Sequence, residues 1–242
     1  MVSRSTYLVI SFFLLLLGYF FFTILGSFNA KINEMATLPF DHPQRMLVNL
    51  NQSVVEPYWH TVTLLFLVIT PLIAMKTFAG ERQHRTWELL ATCPISYSTL
   101  VWGKFLGALS FLFLLLGGAA CYPMLLCLLG EPERAPIFVG FFGVCMAISS
   151  FTAIAVCCSA FASTQLVAAI SAFLVLFMLY GLSIPKTAIG SFQEYFVSVV
   201  SPIWHLRPFV SGVITLEGVL YFLSVCVIAL MLSRIALLRS EA

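Results

Sequence analysis

Residues 137–184 contain no charged side chain. A membrane-spanning helix needs about 20 consecutive apolar residues, so a run of this length must hold two spans. The natural break lies at residues 159–165, where Ser163, Thr164 and Gln165 interrupt the apolar pattern. Soluble domains carry roughly 25% charged residues, whereas this 242-residue chain carries 9%, with 61% hydrophobic residues. Too few polar side chains remain to cover a globule of this size, and a soluble enzyme is excluded. Backbone groups in lipid must be paired within their own helix. The predicted fold class is therefore all-α and polytopic, a single transmembrane domain over residues 1–242.

The remaining apolar runs predict six spans in total. The first covers residues 7–28 and is too long for the core of a cleaved signal peptide. Residues 29–57 read as a polar loop, with Lys31, Glu34, Asp41, Arg45 and Glu56 among Pro39 and Pro43. Span two, residues 58–75, opens on Tyr58 and Trp59 as interfacial aromatics and is interrupted by Pro71. Span three covers residues 98–129, with Lys104 near its start placed to snorkel to the interface. After a tight polar turn around Glu131, Glu133 and Arg134 come spans four and five. Residues 185–215 form a second longer loop, in which Phe192, Tyr195, Phe196, Val199 and Val200 suggest an interfacial helix. Span six covers residues 216–238.

Basic residues set the orientation. With both termini on one side, Arg4, Lys76, Arg82, Arg85, Lys104, Arg234 and Arg239 share that side, and Lys31, Arg45, Arg134, Lys186 and Arg207 take the other. The first set lies in short segments beside spans, where the positive-inside rule applies best, so both termini are expected in the cytoplasm. The net charge of +2 gives no field for nucleic acid. Of the seven cysteines, six sit in apolar runs and Cys93 in a cytoplasmic segment, which predicts reduced thiols rather than a disulfide framework.

The sequence holds none of the patterns that carry catalysis. H-E-x-x-H and G-x-S-x-G are missing, and the one Gly-Lys pair, Gly103-Lys104, continues into Phe105 instead of the Ser or Thr of a P-loop. No ionisable residue lies at the centre of a span, where one would mark an ion pathway. Energy for any transport must therefore come from another chain. Thr61, Thr63, Ser149, Ser150, Thr152 and Ser171 could line a path, but small polar residues between spans more often serve helix packing.

The densest charged patch lies between spans two and three. Residues 78–97 carry Glu81, Arg82, His84, Arg85 and Glu88 around Trp87, Leu89 and Leu90, and Pro94 terminates the stretch. On a helix Arg85, Glu88 and Leu89 share one side, which predicts a short amphipathic helix at a membrane face. The stretch resembles the loop between spans two and three of type-2 ABC exporter permeases, where F-x-x-E, G-T-x-E-L-L and T-x-P-[VI] recur. Thr86, Glu88, Leu89, Leu90, Thr92 and Pro94 match that pattern, Arg85 stands where it usually has Gly, and Gly103-Lys104 matches the family's start of span three. Tyr122-Pro123 and the segment from Ser201 through His205, Phe209, Gly212 and Tyr221 to Ser224 resemble the gliding-motility branch of these permeases. The N-terminus departs from the family, with six residues ahead of the first run where a longer basic amphipathic helix is common.

The resemblance implies a permease subunit of an ABC transporter, an exporter in the bacterial inner membrane. It implies a separate ABC ATPase subunit that binds ATP and Mg, a second permease copy or related subunit, and a path between the two halves. A periplasmic or auxiliary membrane subunit is a further expected partner beside the lipid itself. No cofactor and no metal site is expected in this chain. The ATPase-coupling residues are then Glu81, Arg82, Arg85, Trp87, Glu88, Leu89 and Leu90, with Trp87, Leu89 and Leu90 as the apolar anchor and the charges at its rim. The alternative for the stretch is a helix lying on lipid with Trp87 among the headgroups. His205 and Arg207 are candidates for an outer gate or partner contact, against a hydrogen-bonded loop turn between Pro202 and Pro208. The rival for the whole chain is a membrane scaffold that anchors a periplasmic or cytoplasmic complex.

Overall fold

A computed structural model describes residues 4–36, 49–86, 96–129, 133–181 and 199–239. Every described element is helical. Helix α1 spans Arg4–Ala36, and a π-helical turn, Asn51–Val55, leads into α2, Glu56–Ala74. The short α3, Ala79–Gln83, follows. Then come α4, Tyr97–Leu129; α5, Arg134–Phe161; α6, Gln165–Gly181; α7, Pro202–Val210; and α8, Leu216–Arg239. Five stretches among the described residues are long and apolar enough to cross a membrane: Ile10–Ala36, Asn51–Gln83, Tyr97–Cys127, Arg134–Phe161 and Leu216–Leu238. The expected fifth span begins at Gln165 and is described over 17 residues to Gly181.

The expected loop over residues 29–57 shortens from both ends. Helix α1 continues through Lys31 and Glu34 to Ala36, because nothing between Asn29 and Ala36 breaks a helix and the first proline is Pro39. Residues 51–57, assigned above to the same loop, are helical as well, and Pro57 falls where the π-helical turn passes into α2. Pro71 does not interrupt span two. It falls in the last turn of α2, where only one intrahelical bond is lost.

Helix α5 forms the axis of the fold, packed by α2, α4, α6, α7 and α8. Its sequence explains why: Gly140, Gly143, Ala147, Ser150, Ala153, Ala155 and Ala160 are buried, and small residues let neighbouring helices approach closely in lipid. A methyl group on Gly140 would lie 2.7 Å from the Trp59 ring, and one on Gly143 would lie 2.4 Å from Phe209 Cβ. Helix α1 packs on α2 and α4 through Phe13, Phe21, Tyr58 and Tyr122, with Phe13 edge-on to Phe66 at 5.2 Å. Its other face presents Leu8, Phe12, Leu15, Tyr19 and Phe22 outward, an apolar stripe suited to hydrocarbon.

Tyr58 and Trp59 are not interfacial anchors. Both are fully buried, and the Tyr58 hydroxyl donates to the Ala119 carbonyl at 2.7 Å. The side a helix presents to its neighbours decides between the two outcomes. The six candidate path-lining hydroxyls all bond to their own helices, for example Thr63 to the Trp59 carbonyl at 2.9 Å and Thr152 to the Ile148 carbonyl at 2.7 Å. Cys121, Cys127, Cys145, Cys157, Cys158 and Cys226 are free thiols.

Candidate functional site

Helix α2 ends at Ala74, and residues 75–78 turn the chain into α3. A helix start leaves its first N–H groups without intrahelical partners. Here a side chain about 80 residues away supplies the acceptor: Ser159 Oγ, in the last turns of α5, accepts the backbone N–H of Phe78 at 3.2 Å and of Ala79 at 3.0 Å. A hydroxyl has two acceptor lone pairs, and these two bonds fill them. The Thr77 hydroxyl stands 3.2 Å from the same oxygen. Ser159, Phe78 and Ala79 are all fully buried.

Three side-chain links surround this bond pair. Glu81 forms an ion pair with Lys104 of α4, both half-buried. Arg82 Nη1 donates to the Ala162 carbonyl at 3.3 Å, and the Gln165 N–H donates to Gln83 Oε1 at 3.2 Å. Gly80 lies against Gln165, where a methyl would sit 3.1 Å from Nε2. The short α3 is thus fixed to α4 and to the α5–α6 junction at residues 162–164. Lys104, expected to snorkel toward the interface, has a carboxylate partner.

Arg85 ends α3. Its φ of 56° lies in the left-handed region. The Arg85 N–H bonds the Arg82 carbonyl at 3.1 Å and the Thr86 N–H bonds the Glu81 carbonyl at 3.0 Å, the paired bonds of a Schellman motif whose left-handed position favours glycine. The expected helix over residues 78–97 is therefore not continuous: α3 stops at Gln83, and Arg85 leaves the helical conformation. Trp87, Glu88, Leu89 and Leu90 lie outside the described residues. His84, Arg85 and Thr86 are exposed.

His205 and Arg207 stand elsewhere. Helix α7 packs over Gly143, and Gly143 to Ser159 is 16 residues along α5, roughly 24 Å of helix axis. Residues 202–210 form a helix, not a loop turn: Pro202 occupies its first turn and the Ser201 hydroxyl accepts the Trp204 N–H at 3.4 Å as an N-cap. His205 Nδ1 lies 3.0 Å from the Ser201 carbonyl, and its ring stacks on Tyr221 with centroids 4.0 Å apart. The Tyr221 hydroxyl donates to the Val200 carbonyl at 2.6 Å. Arg207 is exposed, with its guanidinium 5.9 Å from the Trp204 ring centroid.

The α3 end therefore brings Glu81 and Arg82 together with Lys104, Ser159 and Gln165, three residues that sequence reasoning left out of the site. Their signal was weak: Ser159 and Gln165 lay in the polar break between spans, but nothing in the sequence pairs that break with the end of span two.

A family model for ABC-2 family transporter proteins matches the chain over residues 1–242. The chain belongs to that family, and is a membrane permease component of an ABC transporter. No curated protein matches the sequence.

Proposed function

We propose that the chain couples nucleotide hydrolysis in a separate ABC ATPase to the export of a substrate, and that the α3 end and the residues following Arg85 form the docking element. The observation that carries this is the fixing of α3. An ATPase that closes on ATP can move spans only through an element rigidly joined to them, and α3 is joined to α4 by Glu81–Lys104 and to α5 by Ser159. Trp87, Leu89 and Leu90 then enter a groove of the ATPase, with Glu88, Arg82 and Arg85 at its rim. ATP and Mg are held by that partner.

In this reading the protein has six spans in one domain, the fifth completed by residues that follow Gly181, and it lies in the bacterial inner membrane. Both termini and the α3 end face the cytoplasm. A second copy or a related permease subunit forms the other half of the path. The exposed Arg207 and Trp204 of α7, on the opposite end of α5, are then available to a periplasmic or auxiliary subunit. The residues 201–224 support assignment to the gliding-motility branch.

Purification from native membranes tests the reading. The protein is expected to bring down an ABC ATPase, and Trp87→Ala or Glu88→Arg to lose it while the chain remains folded, with Glu34→Arg in α1 as the matched control. Retention of wild-type ATPase binding by both variants, or capture of a complex with no ATPase, sinks the reading and favours the scaffold. Cysteine labelling at residue 86 from the cytoplasmic side only is the expected topology.

A further inference from the structure

Resting on the coupling reading above, we infer that Ser159 is the joint through which movement of the 79–86 segment reaches the membrane core, a positioning residue that makes α3 and the end of α5 move as one body. Three of the four links at α3 run through long side chains. Glu81–Lys104 and Arg82–Ala162 are half-buried, Gln83 is exposed, and such arms can swing while keeping a partner. The Ser159 link differs in kind. It is a short side chain with one rotatable bond to its hydroxyl, fully buried, and it holds two consecutive backbone N–H groups at 3.2 and 3.0 Å.

Residues 78–79 cannot shift against α5 without breaking both bonds in a place water does not reach, so the backbone itself transmits the displacement. From Ser159 the displacement enters the helix on which α2, α4, α6, α7 and α8 all pack. The rigid body ends at Arg85, where the left-handed residue closes α3. A load applied beyond Arg85 thus meets a stiff elbow, bolted at Ser159 beside the buried packing of Ala79 with Ala162 and Ala168.

Amide hydrogen exchange on the native complex with its ATPase, with and without ATP and vanadate, tests this. The wild-type complex is expected to change protection on trapping both at residues 78–86 and at 159–166. In Ser159→Ala the change at 78–86 persists and the change at 159–166 is lost, whereas Ser159→Thr, which keeps the hydroxyl, retains both. Ser159→Cys keeps the size of the side chain but accepts hydrogen bonds weakly, and it should behave as Ser159→Ala if that variant does not fold. Wild-type responses at both segments in the alanine and cysteine variants overturn the joint and leave coupling through α3 standing. A wild-type complex with no response at 78–86 removes the coupling reading, and the joint with it.

Discussion

The Tyr58 hydroxyl donates to the carbonyl oxygen of Ala119, the one acceptor in α4 that Pro123 deprives of its helical donor. In a regular helix the N–H four residues on bonds each carbonyl, and proline has none. In lipid no water replaces it. Tyr58 of α2 fills the gap across 61 residues, fully buried. Tyr58→Phe is expected to destabilise the protein by about 1–3 kcal/mol, the cost of a buried carbonyl without a partner. Adding Pro123→Ala restores the helical donor, so the double variant should lose less than Tyr58→Phe alone. Thermal unfolding in detergent reads the comparison, and equal loss in single and double variants would refute it.

Gly143→Ala should be among the most damaging small substitutions in the chain. The added methyl meets Phe209 Cβ at 2.4 Å, and the far end of the same ring lies close to Gly218, whose methyl would meet Cε2 at 2.5 Å. The ring has nowhere to retreat, and overpacking of this kind costs about 1–3 kcal/mol. Gly117→Ala in α4 is the control: nothing lies within 4 Å of its added carbon, and exchange of an open helical glycine for alanine should gain up to ~1 kcal/mol. A loss of stability at Gly117 equal to that at Gly143 would contradict the packing.

Arg85→Gly should stabilise the protein. The left-handed conformation at φ 56° costs a residue with a side chain about 1–2 kcal/mol relative to glycine, less the greater freedom glycine has in the unfolded chain. Arg85→Val, β-branched, should do the reverse. The pair separates backbone strain from charge, since both remove the guanidinium. If the two variants shift the melting temperature in the same direction, the charge and not the turn dominates.

The Glu81–Lys104 pair predicts rescue by exchange. Lys104→Glu places two carboxylates together across α3 and α4, and Glu81→Lys two ammonium groups, each disfavoured; the doubly exchanged variant restores attraction. Because both side chains are only half-buried, the coupling energy should be about 1 kcal/mol and should shrink with added salt. A double-mutant cycle at low and high ionic strength measures it. Coupling that does not fall with salt would mean that the pair is more shielded than its exposure indicates.

Span positions were readable from the sequence because charge exclusion is a one-dimensional signal. The break at residues 162–164 between α5 and α6 falls inside the expected 159–165, and Leu216–Arg239 covers the apolar run expected over 216–238, whose charges Glu217 and Arg234 lie near its ends. Properties that depend on two segments at once were not readable. Hydropathy treats Tyr58 alike whether it meets headgroups or Ala119, and Ser159 reads as a break residue until the end of α2 lies beside it. The stop of α3 was hidden because its usual signal is glycine, and Arg85 adopts the same conformation without it. Helix α7 was obscured by Pro202 and Pro208, although a proline in the first turn after Ser201 is a helix-start signal in its own right.

The two glycines on α5 have a mechanical consequence. Gly140 receives the edge of Trp59 from α2, and Gly143, three residues on, receives Phe209 from α7. A helix turns about 100° per residue, so even a modest roll of α5 would drive bulkier neighbours of these two notches against the rings. The two notches lie about 60° apart on one face of the shaft, keyed to α2 and to α7. Rolling of α5 against α2 and α7 meets the Trp59 and Phe209 rings, so these three helices are fitted to shift together.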